Sequence, residues 1–161
     1  MRLKEAGLYM NVNIDNKSVL FFKAYEDIWA AERTVAGSPN IAVWHCAQAV
    51  EKILKGFLHC CNLPYDGSHE LEPLLEDVIS VTALSDECKA NVLNLSIYKS
   101  GLRYKNMTND PSPEDAKIVI SRTKIIMQEF SENPRISQFI DEAREVHTKT
   151  LRLNLEKYGD K

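Results

Sequence analysis

Four polar side chains recur at helical spacing near the middle of the sequence. They are His45, Gln48, Lys52 and Lys55. Steps of three and four residues place such side chains on one face of a helix. Two ammonium groups beside an imidazole and an amide can bind a phosphate. A solvated or dimer-facing surface explains the same face, because Glu51 lies four positions before Lys55, the favourable order for an exposed helical ion pair. Both interpretations stay open on the sequence.

Three later residues could join such a site. His69 either caps the next helix or approaches the polar face and shares a site with Lys52 or Lys55. Arg103 and Tyr104 either compensate a helix dipole and cover the core, or offer a guanidinium to a phosphate and an aromatic face to a base. The ligand-binding candidates are therefore His45, Gln48, Lys52, Lys55, His69, Arg103 and Tyr104.

The cysteines and remaining histidines do not have the spacing of a metal site. Cys60 and Cys61 are adjacent, so on a helix they point about 100° apart, and neither a Cys-x-x-Cys nor a His-x-x-x-His pair exists. We expect the four cysteines to be reduced and mostly buried as small apolar residues. No Ser-His-Asp arrangement or Gly-rich phosphate loop is recognisable. The sequence therefore predicts neither a metal nor a cofactor.

Apolar periodicity predicts six helices that position these residues. They cover about residues 16–36, 39–61 and 69–81, a fourth capped by Ser85, a fifth opening at Ser112-Pro113, and a last one at about 134–155. The second helix has the clearest buried stripe: Val43, Ala47, Val50, Leu54 and Phe57. Ser38 is predicted to cap it, with Pro39 at its first position.

This series of helices predicts an all-α fold. We expect an up-and-down four- or five-helix bundle with an additional C-terminal helix. The predicted organisation is an N-terminal extension (1–15), the bundle (16–131) and a C-terminal helical extension (132–161).

The bulk composition narrows the function classes. The chain has 161 residues, 44% of them hydrophobic and 27% charged, which is typical of a globular protein. Its net charge of -3 argues against nucleic acid as the primary ligand, because such proteins usually present a basic face. The sequence has no long apolar run for a membrane span and no secretory signal, so we expect a cytoplasmic protein.

Four segments resemble HEPN domains, whose name stands for higher eukaryotes and prokaryotes nucleotide-binding. Trp44 to Leu58 resembles the family's second helix, an aromatic residue followed by Gln-Ala-x-Glu-Lys-x-Leu-Lys and a small residue. The other three segments are Ser68 to Leu75, which matches His-x-Leu-x-x-Leu-Leu, Tyr98 with Arg103-Tyr104, and the helix opening Glu114-Asp115-Ala116. The resemblance covers about residues 17–130. It implies a helical bundle, often dimeric, whose relatives cleave RNA or act as partners of a small nucleotidyltransferase.

The motif of the family's ribonucleases is missing. They resemble one another in an arginine that is followed by four to six residues and then a histidine. Here Arg33 lies too far before His45, and Arg144 precedes His147 by only three positions. We therefore predict a member without that ribonuclease motif and without that activity.

The best hypothesis is a non-catalytic binding subunit that forms a homodimer. It would recognise a nucleotide or partner a separately encoded small nucleotidyltransferase. One alternative is a structural interaction or dimerisation module without a ligand, in which the helix after Pro134 docks. Another is a degenerate ribonuclease that keeps residual chemistry at Lys52, His69 and Arg103.

Overall fold

The computed structural model describes residues 13–65, 67, 69–101 and 110–159. The elements of regular secondary structure in these ranges are all helices. A 3-10 turn, Asn16–Ser18, precedes six α-helices: α1 (Val19–Thr34), α2 (Pro39–Cys60), α3 (Leu71–Ile79), α4 (Asp86–Gly101), α5 (Pro113–Ser131) and α6 (Ser137–Tyr158). The predicted all-α bundle with a C-terminal helix is confirmed. The predicted starts of α3 and α6, at 69 and 134, were too early.

Helix α2 is the centre of the bundle and contacts α1, α3, α4 and α5. The five residues of its predicted stripe are all fully buried. Phe57 meets Phe130 of α5 edge to face, with ring centroids 5.8 Å apart. Gly56 lets α1 approach closely, because a β-carbon there would lie 2.9 Å from Cε1 of Phe21. The small residue at 56 therefore sets the spacing between α1 and α2.

Side-chain contacts relate α4 to α5 and α6 to α1. Ser85, just before α4, donates to Glu129 near the end of α5, so these two helices are antiparallel. Helix α6 lies alongside α1, where Ser18 donates to Glu142 and Arg144 Nε donates to the Tyr25 hydroxyl at 3.2 Å. None of the described helices is long and apolar enough to cross a membrane.

Local signals explain most helix ends. Ser112 and Asp115 form a capping box at the start of α5. Asn62, at φ 54°, ends α2, and the amide of Leu63 reaches back to the carbonyl of Leu58. The predicted side-chain cap at Ser38 was wrong. Its backbone, at φ -150° and ψ 72°, lies outside the extended region usual for N-caps, and its side chain makes no capping bond.

Candidate functional site

The first half of the polar face of α2 is organised around a carboxylate from α1. Asp27 is buried, and its side chain is 12% exposed. Its Oδ1 lies 2.9 Å from Nδ1 of His45, and its Oδ2 accepts from Nζ of Lys52. Gln48 lies between these two residues in the sequence, one helical turn from each, and is half-buried. Asp27 therefore connects two of the predicted residues across the α1–α2 interface.

The second half is organised around Glu51, which belongs to α2 itself. Its Oε1 accepts from Nζ of Lys55 at 2.7 Å and lies 2.9 Å from Nδ1 of His69. The side chains of Glu51 and Lys55 are only 7% and 12% exposed, whereas that of His69 is 79% exposed. His69 comes from the segment between α2 and α3, so this contact fastens that segment to α2.

Two sequence interpretations change with this geometry. The interpretation of Glu51 and Lys55 as a solvated pair was wrong, because neighbouring elements cover both side chains. His69 does not cap α3, which begins at Leu71 after Glu70. It approaches the polar face instead and shares Glu51 with Lys55. Lys52 and His69 contact different carboxylates. Arg103 and Tyr104 lie outside the described residues.

Asp27 was not among the residues that the sequence singled out. A signal for it exists in α1, because Ala24 and Ala31 flank it at helical spacing and are fully buried. Two alanines in one buried row are typical of a close helix contact. An acidic residue between them faces the neighbouring helix and needs a cationic or hydrogen-bonding partner there.

The paired contacts fix how the two imidazoles can act. An ionised carboxylate only accepts hydrogen bonds, so Nδ1 of His45 and of His69 carries the proton. The other ring nitrogen, Nε2, then accepts a proton or, in the charged ring, donates a hydrogen bond to an anion. Each carboxylate thus holds one ammonium and one imidazole.

Burial suppresses the reactivity of the three buried cysteines, Cys46, Cys60 and Cys88. Cys46 lies beside Asp27, and burial raises the pKa of its thiol to about 11, with the nearby Asp27 charge acting in the same direction. Burial also raises the pKa of Cys60 to about 11 and that of Cys88 to about 12. These thiols stay protonated near neutral pH, where only the thiolate is reactive. In the described part of the chain, no three His, Cys, Asp or Glu residues are grouped to hold a metal ion.

Comparison with known proteins identifies the family of this chain. No curated protein and no solved structure matches the chain. The family model of the HEPN domain matches residues 18–133, a range that includes α1 to α5 and leaves α6 outside. The match spans more than half of the sequence, and the predicted family is confirmed. The chain belongs to the HEPN domain family.

Proposed function

We propose that this protein is a non-catalytic HEPN subunit that binds the phosphate of a nucleotide on the polar face of α2. The observation that carries the proposal is the pairing of one lysine and one histidine on each of two carboxylates, Asp27 and Glu51. These contacts hold four nitrogen-bearing side chains in fixed positions before any ligand arrives. Preorganisation of this kind reduces the cost of binding.

Each cluster is neutral or carries one positive charge, depending on its imidazole, and this modest charge suits a small anion better than a long one. With neutral imidazoles, each lysine is balanced by its carboxylate, and protonation of His45 and His69 adds one positive charge to each cluster. A phosphate would gain charge-assisted hydrogen bonds from Nζ and Nε2. The overall charge of -3 opposes a long polyanion, so a mononucleotide fits better than RNA.

The absence of catalysis is part of the proposal. The sequence places no arginine at the ribonuclease spacing before a histidine. The lysines supply cations, but both contact carboxylates that neutralise them. A cation balanced in this way stabilises a developing negative charge less than a free arginine. The expected result with RNA is therefore no cleavage.

Calorimetry on the full chain tests the proposal. The probes are ATP, GTP, CTP, UTP and inorganic phosphate at low ionic strength. We expect at least one nucleotide to bind, and the double variant Lys52→Gln/Lys55→Gln to weaken its affinity at least about tenfold, or ~1.4 kcal/mol. His69→Asn probes the same site with little risk to folding, because the side chain is 79% exposed. We expect a several-fold loss of affinity.

The matched control is Lys117→Gln. Lys117 is a 64% exposed lysine on α5 that pairs with Glu114, away from α2, and its loss should leave affinity unchanged. Circular dichroism checks that each variant is folded. Absence of binding by all five probes would overturn the proposal, and so would folded Lys52/Lys55 variants that bind as tightly as the parent chain. RNA cleavage that is lost in His69→Asn would overturn its non-catalytic part.

A further inference from the structure

Gln48 differs from its neighbours on the polar face of α2. The histidine and the two lysines beside it are each held by a carboxylate. The half-buried amide of Gln48 forms no hydrogen bond with another described residue. An amide side chain offers two N–H donors and one oxygen acceptor. The centre of this face therefore carries an amide whose hydrogen bonds the described chain does not use.

Trp44 lies one helical turn before Gln48 on the same side of α2. Side chains of a helix point towards its N-terminus, so the amide of Gln48 points towards the indole. The indole is half-buried, yet it is not among the half-buried side chains that pack against the core of the described chain. Its ring meets that of His45 at 67°, with centroids 5.0 Å apart, and Asp27 holds His45. An aromatic side chain is thus positioned beside the amide.

We propose that Trp44 and Gln48 form the base-binding part of the nucleotide site and that they select adenine. Because this assignment rests on the proposed function, it concerns the same face of α2 and adds the identity of the base. The indole stacks against the base, as aromatic side chains do in many nucleotide and nucleic-acid sites. The amide bonds to the edge of the base, while the lysines and histidines bind the phosphates.

The amide of Gln48 distinguishes adenine from guanine. Adenine presents an amino group at position 6 beside the acceptor nitrogen at position 7, and a glutamine amide bonds to both at once. Guanine presents two acceptors on the same edge, which suit a lysine or an arginine. The two lysines of this face already contact carboxylates, so the amide is the better placed group for the base. A purine also covers more of an indole than a pyrimidine does, and stacking of this kind adds to affinity.

The spacing along α2 also predicts how many phosphates the ligand carries. Lys52 follows Gln48 by four residues and Lys55 follows it by seven, which places them about 6 Å and about 10 Å further along the helix axis. The first phosphate after the ribose reaches the cluster of Lys52, whereas the cluster of Lys55 requires a longer phosphate chain. We therefore expect ATP, which engages both clusters, to bind more tightly than AMP.

Calorimetry with ATP, GTP and inorganic triphosphate measures the contribution of the base. We expect ATP to bind at least about tenfold more tightly than GTP and than inorganic triphosphate, which has no base. Gln48→Met removes the amide at nearly constant length and should reduce the preference for ATP over GTP at least about fivefold. Trp44→Leu should reduce the ratio of ATP affinity to triphosphate affinity about tenfold, as expected for the loss of one stacking contact. Trp44→Phe, which keeps an aromatic ring, should recover most of that ratio.

The matched control is Trp29→Leu. Trp29 is the second of the two tryptophans in the chain, is also half-buried, and lies on α1 in a groove between α1, α5 and α6. Its loss should leave the ratio of ATP affinity to triphosphate affinity unchanged. In the variant Trp29→Phe, Trp44 is the sole remaining tryptophan. ATP should quench its fluorescence by stacking on the indole, and inorganic triphosphate should not.

The possible failures separate this assignment from the proposed function. Inorganic triphosphate that binds as tightly as ATP, or ATP that leaves the fluorescence of Trp44 unchanged, would refute the base site and leave phosphate binding on α2 intact. Equal affinities for ATP and GTP, or a preference for ATP that survives Gln48→Met, would refute the selection of adenine by the amide. If neither the nucleotides nor triphosphate bind, the base site and the proposed function are both wrong. Circular dichroism checks that each variant is folded.

Discussion

The polar face of α2 and the distal end of α6 differ in whether their side chains find partners within the chain. On α2, every buried charge that we describe in the two clusters has a partner, so Asp27 and Glu51 are compensated inside the chain. On α6, Leu155 and Tyr158 remain largely exposed, and the buried Oδ1 of Asn154 has no hydrogen-bond donor among the described residues. The family match covers the first region and stops before the second. The contrast shows that the two carboxylate clusters of the bundle complete their contacts inside the chain, whereas the distal end of α6 leaves apolar surface exposed.

The largest effect is expected from breaking the second carboxylate cluster. Glu51→Ala leaves Lys55, which is only 12% exposed, without its carboxylate in a poorly hydrated position. Removing one member of a buried ion pair costs about 3–5 kcal/mol. Urea unfolding at neutral pH measures the loss. Glu114→Ala is the control, because its pair with Lys117 is exposed and such pairs contribute at most about 1 kcal/mol. Equal losses in the two variants would show that burial does not set the value of the Glu51 pair.

A smaller effect is expected from forcing α1 away from α2. Gly56→Ala would bring a β-carbon to 2.9 Å from the fully buried ring of Phe21. Overpacking of a core costs about 1–3 kcal/mol, against a gain of about 1 kcal/mol in helix propensity. We expect net destabilisation in a urea titration. We also expect weaker nucleotide binding, because Asp27 reaches His45 and Lys52 across this interface. A variant of unchanged or higher stability would show that Phe21 moves freely.

Whether the sequence alone predicts a contact depends on how far apart its residues lie in the chain. The buried stripe of α2 and the opening of α5 at Ser112-Pro113 follow from residue types and spacing within one helix, and both predictions are confirmed. The partner of His45 is a residue of another helix, Asp27, and no local pattern specifies which residues of α1 and α2 meet. The burial of Glu51 could be recognised only in the packed bundle, because a Glu four residues before a Lys is equally typical of an exposed pair.

The histidine of α6 should make the docking of this helix sensitive to acid. His147 packs against the rings of Phe22 and Tyr25, and burial lowers the pKa of its imidazole despite the nearby charge of Glu26. The unfolded chain therefore binds this proton more readily than the folded one. Stability from His147 is fully present above its ordinary pKa of 6.5 and is lost as the pH falls below that value.

The measurement for His147 compares unfolding at about pH 7.5 and about pH 5, on either side of the ordinary histidine range. We expect the parent chain to lose more stability than His147→Gln over this interval, because only the parent chain has the imidazole whose pKa is lowered by burial. His45, His59 and His69 are present in both chains, so their contribution cancels. An identical loss in both chains would mean that α6 accepts the charged ring without cost.

The smallest effect, on His69, sharpens the comparison between a buried and an exposed histidine. His69 contacts the buried Glu51, yet its own side chain is 79% exposed. Water can therefore replace most of the interaction that is lost when His69 is substituted. His69→Ala should therefore cost about 0.5 kcal/mol or less, in the range of exposed ion pairs. Lys55 still compensates Glu51 in this variant. The same substitution should weaken nucleotide binding several-fold, which calorimetry measures on the same sample. A loss of several kcal/mol in stability would instead make His69 a structural fastening of the α2–α3 connection, and any loss of nucleotide affinity would then follow from unfolding.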